Sequence, residues 1–213
     1  MILSLGLRAL LVLQATSCNA ACQQDSLTQQ ELAIQQATML ARANLDSSLR
    51  ATMDSNARQW QRYRAFECGA SETFNQRDAR LQCRLMANHD RLRALVMLNP
   101  DSNFNPASAR VSMCKQAETT TAIRQCVDSA LVRSRTQLDR AINEAERALA
   151  SSKRASLDSA GQVWGDYARQ FCALIEDSME GATMAPFVNQ TCLLNLQDER
   201  TALLHAYTKS RRS

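Results

Sequence analysis

Glycine and proline are scarce in this chain, at 5 and 3 of 213 residues. So few breakers and turn formers leave little room for a fold of many short strands and favour long helices. Aromatic residues make up 5%, so the core must be built largely from Leu, Ala and Met. There are 2 His and no Cys-x-x-Cys pair, which argues against the common zinc arrangements. No apolar run is long enough to cross a bilayer. Basic residues (25) nearly balance acidic ones (21), and the two are interspersed. A nucleic-acid reader would show a stripe of Lys and Arg, and none is present. The chain also lacks a glycine-rich phosphate loop, an H-E-x-x-H and a G-x-S-x-G. No catalytic residue, cofactor or metal ligand is assigned, and the chain reads as a non-enzyme.

What the chain does have is 8 Cys and a repeat. Trp60, Tyr63 and Cys68 recur as Trp164, Tyr167 and Cys172, 104 residues later. Aligning Cys22–Cys68 with Cys126–Cys172 gives 14 identities in 47 positions, without a gap. They include Leu45/Leu149, Arg50/Arg154 and Asp54/Asp158. A fixed offset of this kind marks a duplication. Units this small bury limited core, so the cysteines read as disulfide staples of an exported protein.

Residues 1–17 read as an export signal: Arg8, then the apolar Ala9–Leu13, then Ala15, Thr16 and Ser17 before a cleavage point. This places the chain in the periplasm or outside the cell. Ala15-Thr16-Ser17-Cys18 also weakly matches a lipoprotein box, which offers a lipid anchor at Cys18 and an envelope lipoprotein as the alternative. The first repeat domain spans 18–98. Leu27, Ile34 and Ala41 recur every seven residues, as a helix core face requires. Met53, Trp60 and Tyr63 continue on a second helix after a polar turn at Asn44–Ser48. Residues 99–110, with two Asn-Pro pairs, form a linker that should let the copies be separated. The second domain spans 111–208, and 209–213 is a basic tail. The expected class is all-α: two tandem domains, each a disulfide-stapled helical hairpin with a third helix across it.

Trp60, Tyr63, Trp164 and Tyr167 fall at helical spacing with Leu and Ala, so they read as core. Arg91 and Arg200 follow Asp90 and Glu199 at matching places on the third helices and read as surface charge pairs. Residues 173–190 read as a long loop, richer in apolar residues than its counterpart at 69–80. With Glu176, Asp177 and Glu180 clustered in it, this loop is the candidate protein-binding surface.

Each hairpin is symmetric about Leu45 or Leu149, so Cys22 should oppose Cys68, and Cys126 oppose Cys172. A bridge there closes a long loop, worth about 4 kcal/mol on the chain-entropy model. The favoured map therefore nests Cys22–Cys68 and Cys126–Cys172 inside Cys18–Cys83 and Cys114–Cys192. The competing map joins neighbours: Cys68–Cys83, Cys172–Cys192, Cys114–Cys126 and Cys18–Cys22. Spacing alone leaves both open.

Taken together, Cys114, Cys126, Leu138-Asp139, Trp164-x-x-Tyr167, Cys172 and Cys192 followed by Arg200 resemble the small helical domain of LprI-type lysozyme inhibitors. The first copy resembles it from Cys22 to Leu98, and its Tyr63-Arg64 keeps the family's Tyr-Arg. The chain departs from the pattern at Ile34-Gln35, Ala65 and Ala168-Arg169. The resemblance implies an exported, α-helical, disulfide-bonded bacterial protein. It also implies a protein partner, a lysozyme or another envelope-directed protein, blocked by occlusion. The alternative is a structural or assembly module of the cell envelope with no inhibitory activity.

Overall fold

The structure is a computed structural model. It describes residues 20–71, 79–96, 98, 114, 116–179 and 185–209. The signal segment, Cys18, the 99–110 linker, Glu180 and residues 210–213 lie outside these. The chain is all-α, with six helices and no strand among the described residues. They are α1 (Ala20–Asn44), α2 (Ser47–Ser71), α3 (Ala79–Val96), α4 (Thr120–Ala148), α5 (Ser151–Ser178) and α6 (Ala185–Lys209).

The seven-residue pattern does what its spacing requires: Leu27, Ile34 and Ala41 all point inward from α1. Polar chemistry builds the turn after it. Asp46 Oδ1 accepts from the backbone N–H of Ser48 and of Leu49, both at 2.9 Å, and so caps α2. The Asp46 carboxyl is held below its ordinary 3.8, first by the Leu49 N–H and then by the Ser48 hydroxyl. In the second copy Ala150 stands at this position and provides no side-chain cap. The repeated arginine is shared instead. Arg50 Nε donates to the carbonyls of Arg42 (3.2 Å) and Leu45 (2.8 Å). Arg154 Nε donates to the Glu146 carbonyl at 3.1 Å. Both arginines thus satisfy carbonyls left over at the end of the preceding helix.

Helix pairing crosses the repeat boundary. α1 packs chiefly on α3, and α4 on α6, while α2 packs most extensively on α5 of the other copy. Within the first copy, α1 and α2 are tied by ion pairs between Arg42 and Asp54 (3.1 Å) and between Arg64 and Glu31 (3.0 Å). One core cluster combines Ile34, Met53, Trp60, Tyr63 and Leu95 with Tyr167, Phe171, Ile175 and Val188. A second sets Cys68 and Cys83 among Leu138, Leu149, Leu157 and Leu203. The copies are distinct in sequence and joined in packing.

The nested disulfide map is wrong. The bridges are Cys68–Cys83, Cys114–Cys126 and Cys172–Cys192, with Cα separations of 5.4, 6.0 and 5.5 Å. None of Cys22–Cys68, Cys126–Cys172, Cys114–Cys192 or Cys18–Cys83 is therefore formed. Cys22 is disulfide-bonded as well, and Cys18 lies outside the described residues. Nesting assumed that the first two helices of each copy lie tightly side by side to their open end. Instead α2 and α5 pair with each other. Each then hands the chain straight to its third helix through the nearest cysteine pair.

Candidate functional site

The centre of the molecule is a cluster of aromatic and arginine side chains between the copies. Tyr63 on α2 and Tyr167 on α5 occupy the same place in the repeat. Their rings stack on each other, 6.1 Å between centroids and 6° from parallel. Tyr167 also stacks on Phe171 at 5.9 Å. Trp60, Tyr63 and Tyr167 are buried, and Trp164 is half-buried.

Each third helix sends one arginine into this cluster. Arg91 from α3 is 1% exposed, and Arg200 from α6 is 3% exposed. The reading of these two as surface pairs is corrected. Arg91 lies four residues after Ala87 and four before Leu95, and Arg200 lies four after Leu196 and four before Leu204. All four neighbours are buried, so helical register places both arginines on the inward face. Register was the signal available in the sequence; the charge of the residues outweighed it.

The two arginines reach across the boundary in reciprocal fashion. The Arg91 guanidinium lies over Trp60 of its own copy (5.7 Å) and over Tyr167 and Phe171 of the other (5.4 and 4.9 Å). Arg200 lies over Trp164 of its own copy (5.0 Å) and Tyr63 of the other (5.9 Å). Such contacts strengthen when both partners are desolvated.

The polar partners differ between the copies. Arg200 Nη2 donates to Glu67 Oε2 at 3.0 Å, an ion pair with side chains 2% and 0% exposed. Arg91 Nη1 donates to Asn56 Oδ1 at 2.9 Å and to the Tyr167 hydroxyl at 3.3 Å. Asn56 Nδ2 in turn donates to the Tyr167 carbonyl at 3.0 Å. Burial, with the nearby Glu67 charge, pushes the Tyr63 hydroxyl well above its usual 10.0. Burial also raises Tyr167, opposed by Arg91. Both tyrosines are thus held protonated.

A cavity of about 20 Å³ opens beside the two arginines, with Asp90 and Glu199 also on its wall. Glu199 lies 3.7 Å from Arg93 of the other copy. Among the described residues no group of three or more His, Cys, Asp and Glu could hold a metal ion.

The acidic residues singled out for partner binding lie elsewhere. The region read as a loop at 173–190 is mostly helix: α5 runs to Ser178 and α6 starts at Ala185. Leu174 and Ile175 are fully buried one turn beyond Phe171, so core packing carries the helix past Cys172. Glu176 and Asp177 therefore sit in the last turn of α5. Glu176 Oε2 accepts from Asn189 Nδ2 at 2.8 Å and ties α5 to α6. Asp177 is exposed.

Residues 113–204 match the family model described as Lysozyme inhibitor LprI. The match starts beside Cys114 and ends at Leu204, so it takes in α4, α5 and most of α6. It includes Trp164, Tyr167, Arg200 and the Cys114–Cys126 and Cys172–Cys192 bridges. The first copy, which supplies Trp60, Tyr63, Glu67 and Arg91 to the centre, lies outside the matched range. No curated protein and no solved structure matches the chain. In this chain the matched unit buries its Tyr167 face against the first copy.

Proposed function

We propose that the chain is a binding protein that acts by occluding a protein target, a lysozyme or another envelope-directed protein, and is not an enzyme. The observation that carries this reading is the match of 113–204 to the lysozyme-inhibitor family. The disulfides support an exported setting, because such bonds persist in oxidising compartments. No described helix is long and apolar enough to cross a membrane. The cluster between the copies supports a structural role for its side chains: its tyrosines are held protonated, and its arginines are engaged with rings, amides and a carboxylate.

The net charge of +4 gives no long-range attraction to a basic target such as many lysozymes. Contact with one calls for a local acidic surface. Asp177, with Glu176 beside it, is that surface in this reading, and Glu180 follows in the sequence. A turbidity assay with purified protein tests it. Stoichiometric protein should slow lysozyme without degrading it. Replacing Glu176, Asp177 and Glu180 by Gln, Asn and Gln should weaken the inhibition and its dependence on salt. No inhibition at micromolar protein would favour a structural role in the envelope.

A further inference from the structure

We infer that Cys22 is bridged to Cys18, so that export removes the leader ahead of Cys18 and attaches no lipid there. The first support is a count. The chain has 8 Cys. Six of them pair with one another, as Cys68–Cys83, Cys114–Cys126 and Cys172–Cys192. Cys22 is disulfide-bonded too. Cys18 is the one cysteine left, so no other sulfur of the chain can serve Cys22. Cys18 itself lies outside the described residues; the assignment comes from Cys22 and from the six that are taken.

The repeat gives the same answer independently. Cys22 aligns with Cys126, and Cys68 with Cys172. In both copies the second helix is tied to the third, by Cys68–Cys83 and by Cys172–Cys192. In the second copy the first helix, α4, is tied by Cys126 to Cys114, in the segment that leads into it. The same plan in the first copy calls for a cysteine ahead of Cys22, which stands in the first turn of α1. Cys18 is the cysteine that precedes it.

The consequence is chemical. Forming the bridge removes one hydrogen atom from each thiol. A disulfide-bearing thiol oxidase of an oxidising compartment accepts the two protons and two electrons and becomes a dithiol. A lipid anchor would use the same Cys18 sulfur in a carbon–sulfur bond. One sulfur cannot carry both, so the bridge excludes the anchor that Ala15-Thr16-Ser17-Cys18 weakly offers. It also excludes loss of Cys18 with the leader, as cleavage after Ala20 would cause. The product is a released protein, not a tethered one. The inference rests on the export reading given above and deepens it.

The test expresses the full chain with its leader in a bacterium that has a periplasm. The N-terminal tryptic peptide is then weighed without reduction. No Lys or Arg stands between Arg8 and Arg42, so Cys18 and Cys22 fall on one peptide that ends at Arg42. That peptide should start at Cys18 or shortly before it and carry no lipid. It should be lighter than its reduced form by two hydrogen atoms, and the protein should be in the soluble periplasmic fraction. Cys18→Ser should still be cleaved and released, and should gain one titratable thiol per denatured chain, where wild type shows none. A lipid on Cys18, a peptide that starts after Cys18, two free thiols on it, or Cys22 joined to another chain overturns the inference. So does a Cys18→Ser form that stays as an unprocessed membrane-bound precursor. Those outcomes leave export standing. A wild-type chain that keeps Met1 and stays in the cytoplasm sinks the export reading, and this inference with it.

Discussion

At the residue scale, Arg200 and Glu67 form a fully buried ion pair between the copies. Removing one partner of a buried ion pair leaves the other uncompensated and typically costs about 3–5 kcal/mol. Glu67→Ala should therefore lower the unfolding free energy measured by urea denaturation by an amount in that range, whereas Asp177→Ala, on the exposed end of α5, should leave it nearly unchanged. A second prediction concerns the tyrosines. Tyr63 and Tyr167 have folded pKa values raised above the unfolded 10.0. The stability tied to their neutral form is thus fully present below about pH 10. It is lost as pH rises further, because the unfolded chain ionises first. Absorbance near 295 nm should show two of the 3 tyrosines staying un-ionised until the protein unfolds in alkali. Both ionising reversibly near pH 10 in the folded state would contradict the burial described. At this scale the sequence was partly legible. The inward Trp and Tyr positions follow from spacing, but a buried arginine needs a partner on another helix, and Glu67 lies 133 positions from Arg200. No local pattern announces such a pair.

At the element scale, helices and turns follow from local chemistry. Leu27, Ile34 and Ala41 mark a helix face, and Asp46 marks the start of the next helix. Because the Asp46 pKa is lowered in the folded state, its contribution is present above about pH 4 and fades as pH falls through the lowered value. Asp46→Ala should reduce Tm at neutral pH, and the difference from wild type should shrink in acid. Ala150→Asp should raise Tm at neutral pH, since the second turn has no side-chain cap. The disulfides give a sharper test. Peptide mapping of unreduced protein should recover a peptide joining Cys172 to Cys192 and none joining Cys126 to Cys172. Replacing Cys172 and Cys192 together by Ala opens a loop with a sequence separation of 20 and should cost about 3 kcal/mol. Connectivity was not legible, because equal spacing about Leu45 and Leu149 fixes helix lengths and says nothing of which helices lie side by side. The ends of α5 and α6 were hidden for a related reason. Polar residues at 176–178 suggest a loop, but burial of Leu174 and Ile175 keeps the chain helical beneath them.

At the scale of the whole molecule, the duplication was plain in the sequence, and its consequence was not. A linker between two copies suggests beads on a string. The structure sets Tyr63 on Tyr167, Asn56 on the Tyr167 carbonyl and Arg200 on Glu67, so fully buried polar contacts join one copy to the other. A fragment of residues 111–213 would expose the Phe171 and Tyr167 face that α2 covers. The same packing implies that the two copies unfold together. The direct measurement follows denaturation of two single-tryptophan forms of the full chain. Trp60→Phe leaves Trp164 reporting on the second copy, and Trp164→Phe leaves Trp60 reporting on the first. In each form, fluorescence and far-ultraviolet circular dichroism are recorded on the same urea series. A shared core predicts one transition in each form, with the two signals coincident. Two separated transitions, with the tryptophan following only one of them, would show that the copies fold independently and would contradict the account.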